Sequence, residues 1–570
     1  MTDLVPGPAG PTAVVASEDP GDPGGRALGR SSLINLAGFG VYGLCNFALI
    51  VVITRQLGNA GAGALLLAIA VFNIVARSAM AGTDLALVRF TSRFLARDRH
   101  REVRHLFRIA LVPVAAVSAT AAAALFVVAE PLGRLLTSGG EEAGSSADDL
   151  TTYLRVLAPF IPVATVYQVI EGGSRGFGTM VPGVVTERLG RAASLPVLML
   201  VVIGAGGGTT AVGLAWAGPY AVALVPIALW TTVLVRRAER SLRDRLDPPG
   251  TPAATPLVGT GDLDGLDASP GAGAATGGAV PEPAAPTAGV PEPIAGRELR
   301  RRFWAFALPR SFAGVFALTI LWVDALMLGA LESTESVGVY TAATRWLIVG
   351  NVAGNAVAIA FGPQIAAVLA TDGTDGARRL FQSATAWLVL LAWPAYLTAM
   401  VFAPFLVTAF GDGFDEGATV IVIAGAGFLL AAAAGPIDML LLMAGRSRLS
   451  LINTGIALAA NIGANLVLIP HLGIRGAALA WTLSLVVANA VPMAQMWKLL
   501  GISPFGARSL RALAIGAGVG VALVASRAAL GATLPGLLLG VTLGGAVLVV
   551  GVVHSPDRMG MADVLRRAVT

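Results

Sequence analysis

From Leu33 to Val553 the chain repeats one unit, an apolar run of about twenty residues followed by a short polar break. A helix of that length crosses the roughly 30 Å hydrocarbon core of a bilayer. Hydropathy predicts fourteen such spans, at 32–54, 64–87, 107–129, 152–172, 190–207, 212–234, 304–329, 338–362, 383–408, 418–442, 450–470, 476–497, 510–529 and 534–553. The predicted fold class is an all-α polytopic membrane protein with about fourteen transmembrane helices.

The polar breaks divide the chain. Residues 1–30 are rich in Pro, Gly and Asp and lack a charged segment followed by an apolar core, so they predict a disordered tail rather than a signal peptide. Asp247–Gly296 is Pro/Gly/Ala-rich without apolar periodicity, which predicts a flexible linker within 246–297. Six spans precede it and eight follow. The organisation expected is an N-lobe over 31–245, a C-lobe over 298–500, and a final helix pair with its tail over 501–570. A faint repeat agrees, since "RQLGNAGAGALLLAIA" after the first span parallels "LGALESTESVGVYTAATR" after the seventh.

Charge supplies orientation. Six arginines fall between Arg89 and Arg104, after the second span. Numbered from a cytoplasmic N-terminus, the inner segments also receive Arg175, Arg188, Arg191, Arg236 to Arg245, Arg297, Arg300 to Arg302, Arg378, Arg379, Arg446, Arg448, Lys498, Arg508, Arg566 and Arg567. The outer loops hold Glu141, Glu142, Asp148, Asp149, Glu332, Glu335, Asp412, Asp415 and Glu416, with Arg134, Arg475 and Arg527 as exceptions. This is the bias that places basic loops in the cytoplasm, and both termini are expected there. The basic run after the second span then marks a membrane face, and nucleic acid is not an expected partner. Composition agrees, with 13% charged residues, mean hydropathy +0.76 and a pI near 9.8; a soluble domain carries about a quarter charged residues.

Little catalytic chemistry is visible. Lys498, the only lysine, lies in "QMWKLL", so no phosphate-binding P-loop can form. Cys45 is the only cysteine and the four histidines are scattered, so neither a multi-cysteine metal site nor a cofactor is expected. No enzyme activity is expected. What remains is charge inside the spans, which is costly and usually functional. Arg77 lies twelve residues before Arg89, and Arg310 eight past Arg302 beside Pro309; neither has an evident acidic partner in the sequence. Both are candidates to bind an anionic group such as a phosphate, which guanidinium grips bidentately. Asp324 and Arg345, on neighbouring spans, suggest a structural ion pair. Asp84, Glu171 and Asp438 lie nearer the inner interface, where pairing with arginine competes with function. The candidate substrate-binding set is Arg77, Arg310, Arg345, Asp324, Asp84 and Asp438.

Three stretches resemble a known family. "LWVDALMLGALESTESVGVYTAATRWL" carries Asp324, Gly329, Gly338, Tyr340, Ala343 and Arg345. "AGRSRLSLINTGIALAANIGANLVLIPHLGIRGAALAWTLS" carries Asn461, Asn465, Pro470, Gly473 and Gly476-Ala477-Ala478, and "ITRQLGNAGAG" lies after the first span. With the helix number, they resemble the multidrug/oligosaccharidyl-lipid/polysaccharide (MOP) flippase superfamily over residues 31–500, in particular its polysaccharide-export branch. The resemblance implies two six-helix lobes around a central cavity and alternating access. It implies a polyprenyl-phosphate-linked glycan as cargo, a bacterial inner membrane, and cytoplasmic glycosyltransferases or a polymerase as partners. Two departures stand out: the long linker, and a first span, "LINLAGFGVYGLCNFALIVVI", without the acidic residue usual in drug exporters. Export of a drug or small solute, and a non-transporting membrane scaffold, are the alternatives.

Overall fold

The computed structural model describes residues 23–97, 99–137, 143–246, 296–371 and 373–554. Among them the chain is helical with no strand. The first lobe contains α1 (Pro23–Met80), α2 (Thr83–Leu95), α3 (His100–Leu136), α4 (Ala143–Leu157), α5 (Phe160–Arg175) and α6 (Val181–Gly183). A π-helical segment (Val184–Arg191) then leads into α7 (Ala192–Gly204) and α8 (Thr209–Leu246). The second lobe contains α9 (Gly296–Leu331), α10 (Thr334–Thr371), α11 (Gly373–Val401), α12 (Ala403–Val407), a 3-10 turn (Thr408–Phe410), α13 (Gly417–Ala433), α14 (Ile437–Met443) and α15 (Ser447–Leu500). The pair α16 (Ala507–Leu530) and α17 (Leu534–Val553) closes the chain and packs on α11.

Nine helices among the described residues are long and apolar enough to cross a membrane, or ten if the bent pair α4–α5 is one span. The expected count of fourteen is therefore not reproduced, and the reason lies in how the chain turns. The first two expected spans run together in α1, broken at Gly58 (φ 68°), and the eleventh and twelfth run together in α15, broken at Gly473 (φ 55°). A left-handed φ reverses a helix at little cost only at glycine. The fourth expected span is bent by 52° between Leu157 and Phe160. The expected spans 190–207 and 338–362 are helical but are not among the nine.

Residues 23–30, expected in the tail, instead begin α1. Residues 1–22, the linker from 247 to 295 and residues 555–570 lie outside the described residues. The acidic pair Glu141 and Glu142 does too.

Apolar side chains such as Val112, Val127, Leu229, Val521 and Val524 are exposed around the bundle. That suits a hydrocarbon solvent. The main core joins both lobes. At the end expected to be outer, α1 meets α10 and α4: Ser146 and Thr334 share a buried hydrogen bond of 3.0 Å. At the opposite end, Arg104 pairs with Glu239 at 3.2 Å and Gln382 donates to the Phe505 carbonyl at 3.0 Å. Loops expected on one side thus meet at one end. There, too, Leu299, Phe303 and Ala307 of α9 are fully buried in a cluster with Leu87, Phe94 and Leu106. The first turns of α9 thus pack on helices that precede the linker.

Candidate functional site

The face of α9 turned toward α1 carries the chemistry. Near its start, Gly82 lies so close that a Cβ there would sit 2.4 Å from the Ala307 carbonyl oxygen. About two turns further on, the Arg77 guanidinium lies against Gly314, with Nε 3.6 Å from where a Cβ would stand. Eight residues beyond, about 12 Å along the helix axis, the guanidinium of Arg345 from α10 lies 5.5 Å from the centroid of the Trp322 ring. Arg310 sits on α9 four residues before Gly314; its side chain lies outside the described residues.

Arg77 has a partner after all. Its Nη1 donates to Asp84 Oδ2 at 3.0 Å, which corrects the expectation of an unpaired arginine. Seven residues apart on a continuous helix, the two Cα atoms would stand about 10 Å apart. The break between α1 and α2, with Ala81 at φ 49° and Gly82 at φ 71°, brings the side chains together. The Asp84 side chain is 14% exposed against 33% for Arg77. The second carboxylate oxygen of Asp84 is buried with no hydrogen-bond partner among the described residues.

The expected Asp324–Arg345 ion pair is absent among the described residues. Asp324 is 2% exposed and is satisfied by neutral donors. Tyr340 donates to Oδ2 at 2.8 Å, and Asn461 and Asn465 donate their amides to Oδ1 at 3.0 and 2.6 Å. A carboxylate beside amide oxygens also suits a hard cation, although no group of three or more His, Cys, Asp or Glu forms a metal site among the described residues. Arg345 is left without a carboxylate, and its buried Nε has no acceptor among the described residues. The adjacent Trp346 is in the same condition, with a buried indole N–H that meets no acceptor among the described residues.

Asp438 stands apart from this face. It is exposed in the first turn of α14 and accepts from the Ser450 hydroxyl at 2.5 Å. Glu171 pairs with Arg175 at 2.5 Å.

Residues 40–217 match the MatE family model. No curated protein sequence matches the chain. Among solved structures, the lipid II flippase MurJ in an inward closed conformation is similar at TM-score 0.62 and 10% identity, over 92% of this chain and 99% of that one. An inward-facing multidrug resistance MATE transporter of the MOP superfamily is similar at 0.58 and 15%, over 81% and 94%. A MATE transporter from Vibrio cholerae, VcmN, follows at 0.53 and 15%, over 84% and 97%. Residues 40–217 thus resemble MatE, and the fold is shared with the MurJ and MATE transporters.

In this chain α1 packs against both α9 and α10. Two features of the interior were not singled out in the sequence. Arg188 and Arg191, expected in an inner loop, lie instead in the π-helical segment. The Arg191 side chain is 7% exposed, forks onto the Glu187 carboxylate at 2.5 to 3.1 Å, and stacks 4.3 Å over the Tyr220 ring. The spacing of four on one face was a usable signal. Trp346, the other, gave no signal, because an aromatic in an apolar span reads as core.

Proposed function

We propose that this protein is a flippase for a lipid-linked anionic glycan, and that Arg345 receives the phosphate or acidic group of the headgroup. The supporting observation is that no carboxylate pairs with Arg345 among the described residues, where its buried Nε also lacks an acceptor. A charged side chain in the membrane interior costs at least about 2.5–3.5 kcal/mol, and a structural role would come with a carboxylate. The partner expected from the sequence, Asp324, is instead taken up by Tyr340, Asn461 and Asn465. Arg77 and Arg310 extend the cationic positions along α9 toward the other end, with Asp84 orienting Arg77.

A headgroup rich in hydroxyls and phosphate cannot cross bare hydrocarbon, because each unpaired polar group costs several kcal/mol there. Arginines between the lobes replace its water while the lipid tail stays in the bilayer, and the lobes rock around it. The likeness to the lipid II flippase supports this reading, since it spans 92% of the chain against 81–84% for the two MATE transporters. Glycosyltransferases or a polymerase on the cytoplasmic side of a bacterial inner membrane are the matching partners.

Export of a small amphiphile is the second reading, favoured by the MatE match over residues 40–217. The half-buried Arg345 disfavours cationic cargo. Depletion of the protein tests the choice: a lipid-linked glycan intermediate should accumulate on the cytoplasmic leaflet. Unchanged intermediates together with rising sensitivity to amphiphilic drugs would select the second reading.

A further inference from the structure

Contacts at the end expected to be outer reach Trp346, the neighbour of Arg345 in the chain. Three layers close this end. At the rim, Arg55 of α1 donates from Nε and Nη2 to the carbonyls of Ala409 and Thr408, at 2.7 and 3.2 Å, and Asn59 donates to the Glu335 carboxylate. The first contact places a cation against the carbonyl end of a short helix. Next, the backbones of α1 and α10 touch: a Cβ on Gly63 would sit 1.7 Å from the Thr334 carbonyl oxygen, and one on Gly338 would sit 2.1 Å from that of Asn59. Deeper still, three rings fill the gap. Phe47 of α1 lies 4.4 Å from Trp346 of α10 and 5.8 Å from Phe410, and Trp346 lies 6.3 Å from Phe410.

Trp346 follows Arg345 in the chain, and both carry a buried N–H without an acceptor among the described residues. A plug needs only the ring. A buried indole N–H is normally paired, since leaving it unmade costs about 1–3 kcal/mol. We propose that Trp346 couples cargo to the outer gate. Its indole N–H takes a headgroup oxygen beside the Arg345 guanidinium, which draws the ring away from Phe47 and unseats the plug. An inference about the same cargo, this rests on the anionic-headgroup reading. It goes beyond that reading in assigning the signal for opening to one side chain. A two-state gate responds to a ligand only through contacts that differ between its states, and the Trp346–Phe47 contact is one that the ligand would replace.

The experiment places spin labels at the exposed outer-end positions Gln56→Cys and Asp412→Cys in a Cys45→Ser background, with the full chain in nanodiscs. The probe is farnesyl diphosphate, which carries a diphosphate on a short prenyl chain, and its binding is measured in parallel by equilibrium dialysis. Without probe the labels should report a closed outer end. Saturating probe should produce a population at longer distance. Trp346→Phe keeps the plug and loses the N–H: it should stay closed at saturation, with affinity weakened about tenfold, as expected for one hydrogen bond to a charged group. Trp346→Ala should open without probe. If Trp346→Phe opens as wild type does, or if Trp346→Ala stays closed without probe, the coupling is wrong while the anion reading survives. If probe binds wild type and Arg345→Ala equally, the anion reading itself fails and the coupling falls with it.

Discussion

At the scale of single residues, depth in a span is visible in sequence but partnership is not. Arg77 and Arg345 exchanged roles for this reason. Arg77 is paired because a helix break folds Asp84 back onto it. Among the described residues Arg345 meets no carboxylate, because Asp324 is satisfied by donors 16, 137 and 141 residues away. The two asparagines, one turn apart on α15, were legible as a motif; their target was not, because no local pattern records which distant helix they face. The Arg77–Asp84 pair should show positive coupling in a double-mutant cycle. Arg77→Ala leaves a mostly buried carboxylate unpaired and should destabilise by about 1–2 kcal/mol, a buried-pair loss discounted for the one-third exposure of Arg77. Adding Asp84→Ala should recover most of it. Thermal unfolding in detergent reads the cycle, and purely additive losses would mean that the pair contributes no coupling.

At the scale of elements, the apolar runs were legible nearly everywhere and their joints were not. Hydropathy averages over a window, so it cannot see one glycine at φ 68° or 55° joining two runs in a single helix. Nor can it see the π-helical turn at Val184–Arg191, which buries an arginine expected in a loop. These glycine joints carry strain for any other residue. At Gly473 a Cβ would also meet the Glu332 carboxylate oxygen at 2.6 Å. Gly473→Ala should therefore cost about 1–2 kcal/mol from the left-handed conformation alone. Pairing it with Glu332→Ala should remove the clash and leave only the backbone part. Comparing melting temperatures of the two variants checks this, and equal losses would show that Glu332 moves aside freely.

For the whole molecule, the resemblance in three short stretches pointed to a polytopic helical fold, and that fold is shared with MurJ and MATE transporters. The packing of α9 was not legible. The first turns of α9 follow the linker in sequence yet pack in the first lobe through Leu299, Phe303 and Ala307. Since α9 already ties the lobes, the linker from 247 to 295 should be dispensable for coupling them. Shortened to about twenty residues, a flexible chain still spans roughly 22–27 Å. Such a variant should complement at close to wild-type level, and normal insertion without complementation would assign the linker a role in transport.

The central claim is that Arg345 is kept in the interior for its cargo, and export of lipid-linked glycan by Arg345 variants tests it most directly, with membrane abundance quantified in the same cells. Arg345→Ala should insert as well as wild type or better, since it removes a charge in the membrane interior that no carboxylate meets among the described residues, and should lose export. Arg345→Lys should retain part of it, because the charge survives without the planar fork. Export at wild-type level by a fully abundant Arg345→Ala protein would contradict the account.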